Sequence, residues 1–181
     1  MSTAHPGRTQ LIIMMVIVAL TLGGSYLLFY FSQDGNLWGT TNEGEFVTDL
    51  TIESLQLRTD QGVPLTPGGL WSLLIVAKGE CGQECETSLS QMRALQVLIT
   101  KDATRIRRAL LVTGGSIDES IGATYPRLLR LRGDSPAAAE LAAGIYIVDP
   151  AGIFVVRFDL GDTGAKVQKD LKRLLRYSRI G

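Results

Sequence analysis

Residues 70–86 read LWSLLIVAKGECGQECE. The run from Leu70 to Ala77 is almost continuously apolar and stops at Lys78. That length and composition fit a strand buried on both faces, as in a parallel or mixed central sheet. Beyond it the period changes. Cys85, Leu89, Met92, Leu95 and Ile99 recur at spacings of three and four, the stripe of a helix. Both cysteines of the chain, Cys81 and Cys85, therefore fall where a buried strand turns into a helix.

Working outward, Leu55-Gln56-Leu57-Arg58 before Asp60-Gln61-Gly62 predicts a strand entering a turn. Residues 109–113 (ALLVT) form a second buried-type strand, closed by Gly114-Gly115. A helical stretch is expected next, containing Leu128, Leu129 and Leu131 and then residues 137–143. Residues 145–148 and 153–158 flank Asp149-Pro150-Ala151-Gly152. Proline second and glycine fourth suit a type I hairpin turn. Val167, Leu171, Leu174 and Leu175 give residues 165–178 a helical stripe. Strand, helix, strand, helix, hairpin, helix predicts an α/β sandwich.

The N-terminal side differs. Residues 11–31, LIIMMVIVALTLGGSYLLFYF, contain no charged residue. As a helix they span roughly 30 Å, the hydrocarbon thickness of a bilayer. A signal peptide is the rival reading, but its apolar core is only about 7–15 residues long and ends in small residues. Here the run closes on Tyr26-Leu27-Leu28-Phe29-Tyr30-Phe31, which favours an uncleaved anchor with Tyr30 and Phe31 at the water interface. Arg8 precedes the run, and the first charges after it are Asp34, Glu43, Glu45 and Asp49. Positive residues stay in the cytoplasm. The expected order is a cytoplasmic N-terminus (1–10), a transmembrane anchor (11–31), a polar linker (32–45) and an outer domain (46–181) facing the periplasm or an equivalent space where disulfides persist. The zero net charge gives no reason to propose nucleic acid.

Two cysteines four apart on a regular helix have Cβ atoms roughly 5–6 Å apart, whereas a disulfide wants about 3.8 Å. Cys85, however, lies on the buried stripe and Cys81 precedes the helix. With Gly82 allowing a tight turn, both thiols can converge at the helix N-terminus, which favours a thiolate. Glu80, Glu84 and Glu86 oppose a thiolate and favour a bound cation. Soft thiolates select Cu(I) or Zn, but a structural zinc site wants four ligands. The single histidine, His5, precedes the anchor. Met92, about 10 Å along the helix from Cys85, reads as core. The residues alone leave open a redox dithiol, a metal site, or a stabilising disulfide.

The anchor, the strand WSLLIVA, the CGQEC loop and the hairpin IYIVDPAGIFVVRF together resemble the thioredoxin-like superfamily. Within it they resemble the Sco family of membrane-anchored copper chaperones for cytochrome c oxidase. The resemblance implies a thioredoxin-like sandwich over 46–181, preceded by one transmembrane helix. It implies Cys81 and Cys85 as the reactive pair, catalytic or Cu(I)-binding. It also implies a place in the bacterial inner membrane, and a cytochrome oxidase subunit or assembly factor as partner. Departures accompany it. Sco proteins carry proline after the first cysteine, where Gly82 stands. Their third copper ligand is a histidine before the late hairpin, and this domain has no histidine. Thioredoxins place a cis-proline there, where Ala142, Ala143 and Gly144 stand. The expected function is thus a Sco-like accessory factor in oxidase biogenesis, reducing thiols or passing Cu(I) with an incomplete ligand set. Its alternatives are a non-catalytic domain stapled by a disulfide and a general thiol–disulfide oxidoreductase.

The remaining polar residues carry less. Lys166, Lys169, Lys172, Arg173, Arg176 and Arg179 read as a solvated basic face on the last helix. Arg105, Arg107 and Arg108 read as a surface run before a strand. Asp118 and Glu119 form an acid pair without evident chemistry. Ser116 and Ser120 have no histidine partner for hydrolysis. Gly114-Gly115 lacks the GK[ST] of a phosphate loop.

Overall fold

The computed structural model describes residues 6–33 and 42–178, in two separate units, the second beginning at Asn42. His5, Arg179 and most of the expected linker lie outside the described residues. The first unit is helix α1 (Pro6–Gln33). Its segment Gly7–Tyr30, with a mean hydropathy of 2.4, is long and apolar enough to cross a membrane.

The second unit is a seven-stranded mixed sheet with helices on both faces. In chain order it contains β1 (Glu45–Phe46), α2 (Ile52–Leu55), β2 (Leu57–Thr59), β3 (Trp71–Lys78), α3 (Gln83–Leu98), β4 (Ile106–Thr113), α4 (Glu119–Thr124), β5 (Leu128–Gly133), α5 (Pro136–Glu140), β6 (Gly144–Val148), β7 (Phe154–Phe158) and α6 (Gly164–Tyr177). The strand order is β1-β7-β6-β3-β4-β5-β2. β3 is central, parallel to β4 and antiparallel to β6.

Side chains alternate across a strand, so β3 feeds two cores. Leu73, Ile75 and Ala77 pack with Cys85, Leu89, Met92 and Leu95 of α3 and with Val167, Leu171 and Leu175 of α6. Leu74 and Val76 face the opposite way, onto Ile52, Leu55, Leu57 and Ala138. This double burial is why the β3 sequence is apolar apart from Ser72 and the terminal Lys78. Met92 is fully buried, as its stripe position predicted. The 145–158 hairpin also forms. Gly152 N donates to Asp149 O (3.0 Å), and Ile153 N donates to the Asp149 carboxylate (2.8 Å).

Three expectations need correction. The stretch with Leu128, Leu129 and Leu131 is strand β5, not helix, and only α4 and α5 beside it are helical. Leucine and arginine favour helices locally. Pairing with β4 and β2, and the Arg130–Asp60 ion pair (2.5 Å), override that preference. The strand expected at 55–58 begins only at Leu57, because Thr51 and Ser54 form a reciprocal capping box that coils Ile52–Leu55. The arginine run is not a surface run. Arg108 is 7% exposed, and half-buried Arg107 donates to Ser72 Oγ (2.6 Å).

Two polar contacts hold the helices on the first core. Ser88 Oγ, fully buried, lies 2.9 Å from the Glu84 carbonyl and 2.8 Å from that of Leu160, beyond β7. Buried Asp170 of α6 accepts from Glu43 N (2.8 Å) and Gly44 N (3.2 Å), tying the start of this unit to its last helix.

Candidate functional site

The end of β3 builds the site. Gly79 has φ +74° and extends the sheet by one bond, its N–H donating to Thr113 O (2.8 Å). A positive φ favours glycine, so the tight turn falls at Gly79 and not at Gly82. Gly82 has φ −76° and ψ −171°, an extended conformation open to any residue, and is the N-cap of α3. The turn brings the chain past Cys81 and into α3, whose first turn carries Cys85.

Cys81 and Cys85 are joined in a disulfide with Cα atoms 5.2 Å apart, inside the usual bridging range. The bridge forms because Cys81 is outside the helix. The two ends differ. Cys85 is 2% exposed and belongs to the core, while Cys81 is half-buried at its margin. Cys81 alone of the pair lines a cleft of about 380 Å3 that also contains Glu80, Glu86, Ser116, Asp118 and Ser120. Glu84 does not line it. Asp118 is the N-cap of α4 and accepts from Ser120 N (2.7 Å). Those bonds from Ser120 hold its carboxyl below the ordinary aspartate value. The acid pair Asp118–Glu119 is thus divided: Asp118 caps a helix at the rim of the disulfide cleft, and Glu119 lies outside it.

A resident metal does not fit this donor set. No cluster of three or more His, Cys, Asp or Glu suited to a metal occurs among the described residues. Met92 is sealed in the core, and the approach to β6 carries only Ala142, Ala143 and Gly144, which offer no ligating side chain. Their backbone is engaged elsewhere: Tyr146 Oη donates to Ala142 O (2.9 Å) and Arg157 Nη2 to Ala143 O (3.1 Å).

The family model for the transmembrane-like, thioredoxin-like C-terminal domain matches residues 71–178, from the start of β3 to the end of the described chain. The chain belongs to this family. Solved structures agree with that family's fold. Arabidopsis thaliana ScoI with copper bound superposes with a TM-score of 0.55 at 16% identity, covering 75% of this chain and 99% of that one. Yeast Sco1 with copper bound gives 0.54 at 14% identity, with 77% and 96% covered. BsSco, a member of the Sco family of cytochrome c oxidase assembly proteins in which a disulfide switch was identified, gives 0.52 at 15% identity, with 77% and 98% covered. At these identities the likeness is one of fold. No curated protein matches the chain. The thioredoxin-like, Sco-like sandwich expected from the sequence is therefore the observed fold of this transmembrane-like, thioredoxin-like protein.

Sequence reasoning missed the second wall of the cleft. Gly115, Ser116, Asp118 and Ser120 follow β4, and only the parallel pairing of β3 with β4 brings them beside Cys81. A local signal existed in Asp118, an N-cap residue followed by a short apolar-spaced helix.

Proposed function

We propose that this protein is a membrane-anchored, Sco-like thiol–disulfide factor in the biogenesis of a respiratory cytochrome oxidase. The observation that carries the reading is the asymmetry of the pair, with Cys81 on a cleft and Cys85 in the core beneath it. In the reduced protein the Cys81 thiolate attacks a partner disulfide, forming a mixed disulfide and releasing one partner thiolate. Cys85 then attacks the Cys81 sulfur, restores the Cys81–Cys85 bridge and releases the second partner thiol. The partner gains two electrons and this chain loses two. A periplasmic dithiol donor must re-reduce the bridge for another cycle. Cu(I) enters this reading only as cargo, held between the reduced pair and ligands of the partner.

The apolar helix supports anchoring, and Arg8 supports an N-terminus inside and the sandwich in the periplasm of a bacterial inner membrane. The folds of the Sco structures support a cytochrome oxidase subunit or assembly factor as partner.

The test is trapping in cells. Cys85→Ser should accumulate a mixed disulfide through Cys81, while Cys81→Ser should not, and both should lower assembled oxidase. If the double serine variant assembles oxidase normally and traps nothing, the disulfide is a structural staple. That second reading is favoured by the burial of Cys85, and it expects a lower melting temperature as the only consequence.

A further inference from the structure

At the other end of the central strands, a cleft of about 570 Å3 opens between α3, the start of β4 and the end of α4. Arg93, Arg108 and Arg127 line it together with Gln96 and Tyr125, and no acidic residue among the described ones lines it. None of the three arginines has a carboxylate partner among the described residues. Arg108 is 93% buried by its 7% exposure, and among the described residues its Nη1 has no hydrogen-bond partner. A buried guanidinium nitrogen left unpaired is costly, so its position needs a reason.

The guanidinium is deliberately held. Gln96 Nε2 donates to the carbonyls of Ala103 (3.2 Å) and Ile106 (3.0 Å), and this leaves Gln96 Oε1 to accept from Arg108 Nε at 2.8 Å. Arg93 lies over the Tyr125 ring at 6.0 Å and reaches the Thr124 carbonyl at 3.5 Å. Burial first, and then the charges of Arg93 and Arg127, pull Arg108 below its ordinary value. Three like charges converge on one cleft, with no carboxylate among the described residues to neutralise them.

We infer that this cleft is an anion site that takes a phosphate-bearing ligand. Arginine forks match phosphate oxygens two at a time. A phosphate monoester carries about −1.5 to −2 charges near pH 7, which suits three unpaired cations better than a single carboxylate does. Ile106 and Val97 supply an apolar wall for the remainder of the ligand. The ligand comes either from solution or from the headgroup of an anionic lipid. The site is separate from the disulfide and does not depend on the redox reading.

The test uses the full chain in a nonionic detergent, titrated with inorganic phosphate against potassium chloride at matched ionic strength, and with dioleoyl phosphatidic acid in the micelle. Saturable binding of either phosphate probe, absent with chloride, is expected. Arg93→Gln and Arg127→Gln, both on the surface and compatible with folding, should weaken it at least about tenfold each. Arg108→Gln should abolish it, and Lys172→Gln on α6 should not change it. Preference for phosphatidic acid, with the same arginine dependence, assigns a lipid headgroup. Equal or tighter binding of inorganic phosphate assigns a soluble ligand. The inference is overturned if neither probe binds above the chloride control, or if Arg93→Gln and Arg127→Gln bind as the parent does.

Discussion

Gly115 packs against Gly79 so closely that a β-carbon on Gly115 would overlap the Gly79 carbonyl group. The loops that follow two parallel strands are thereby pressed together, and Cys81 is presented from the first of them. Gly115→Ala must push the loops apart. We expect a loss of about 1–3 kcal/mol, as for overpacking, and faster reduction of the disulfide by dithiothreitol. Urea denaturation and timed thiol labelling measure the two effects.

The two glycines flanking Cys81 should respond in opposite directions. Gly82 has open space at its Cβ position and an extended backbone at an N-cap without a side-chain bond. Gly82→Ser adds a capping oxygen and restrains the unfolded chain, for a gain of about 0.5–1 kcal/mol. Gly79→Ser forces a side chain into φ +74°, at a cost of about 1–2 kcal/mol. Thermal melts of the two variants should move apart. A Gly82→Ser variant less stable than Gly79→Ser would contradict the assignment of the turn.

The carboxylates of the disulfide cleft should slow attack by Cys81 once it is reduced. Glu80 and Glu86 both line the cleft, and a charge about 6 Å from a thiolate costs it up to roughly 0.7 kcal/mol in water. Glu80→Gln and Glu86→Gln are each expected to raise the rate of iodoacetamide alkylation about twofold at pH 7, an effect that fades in high salt. Glu84→Gln, outside the cleft, should change the rate less.

Asp118 links the cleft to pH. Its folded carboxyl is held below the ordinary aspartate value by the bonds from Ser120. The folded state therefore favours the carboxylate relative to the unfolded chain. That stability is present above the unfolded value, about 3.9, and is lost as pH falls through the lower folded value. Stability measured by urea between pH 5 and pH 2 should fall more for the parent than for Asp118→Asn. Parallel curves would show that the cap contributes nothing through its charge.

The contrast between β3 and β5 shows what was legible beforehand. Residues 71–77 announce a buried strand because both of their faces meet a core, so every side chain but that of Ser72 is apolar. Residues 128–133 contain two arginines and a mixed pattern that a helix could also satisfy. Their strand character comes from Asp60, β4 and β2, which are distant in sequence. Likewise Arg108 looked like one of three surface cations, because a run of arginines does not reveal that a glutamine twelve residues earlier folds over it.

The apolar helix, the step from buried strand β3 into α3, the buried stripe carrying Cys85 and the late hairpin were determined by the sequence itself, since each rests on local period or turn chemistry. The second wall of the cleft before Cys81, the glycine that makes the turn and the acids that surround Cys81 were decided by the tertiary structure. The physical reason is that parallel pairing of β3 and β4 places the loops after them side by side, across more than thirty residues of chain that contain no trace of the contact.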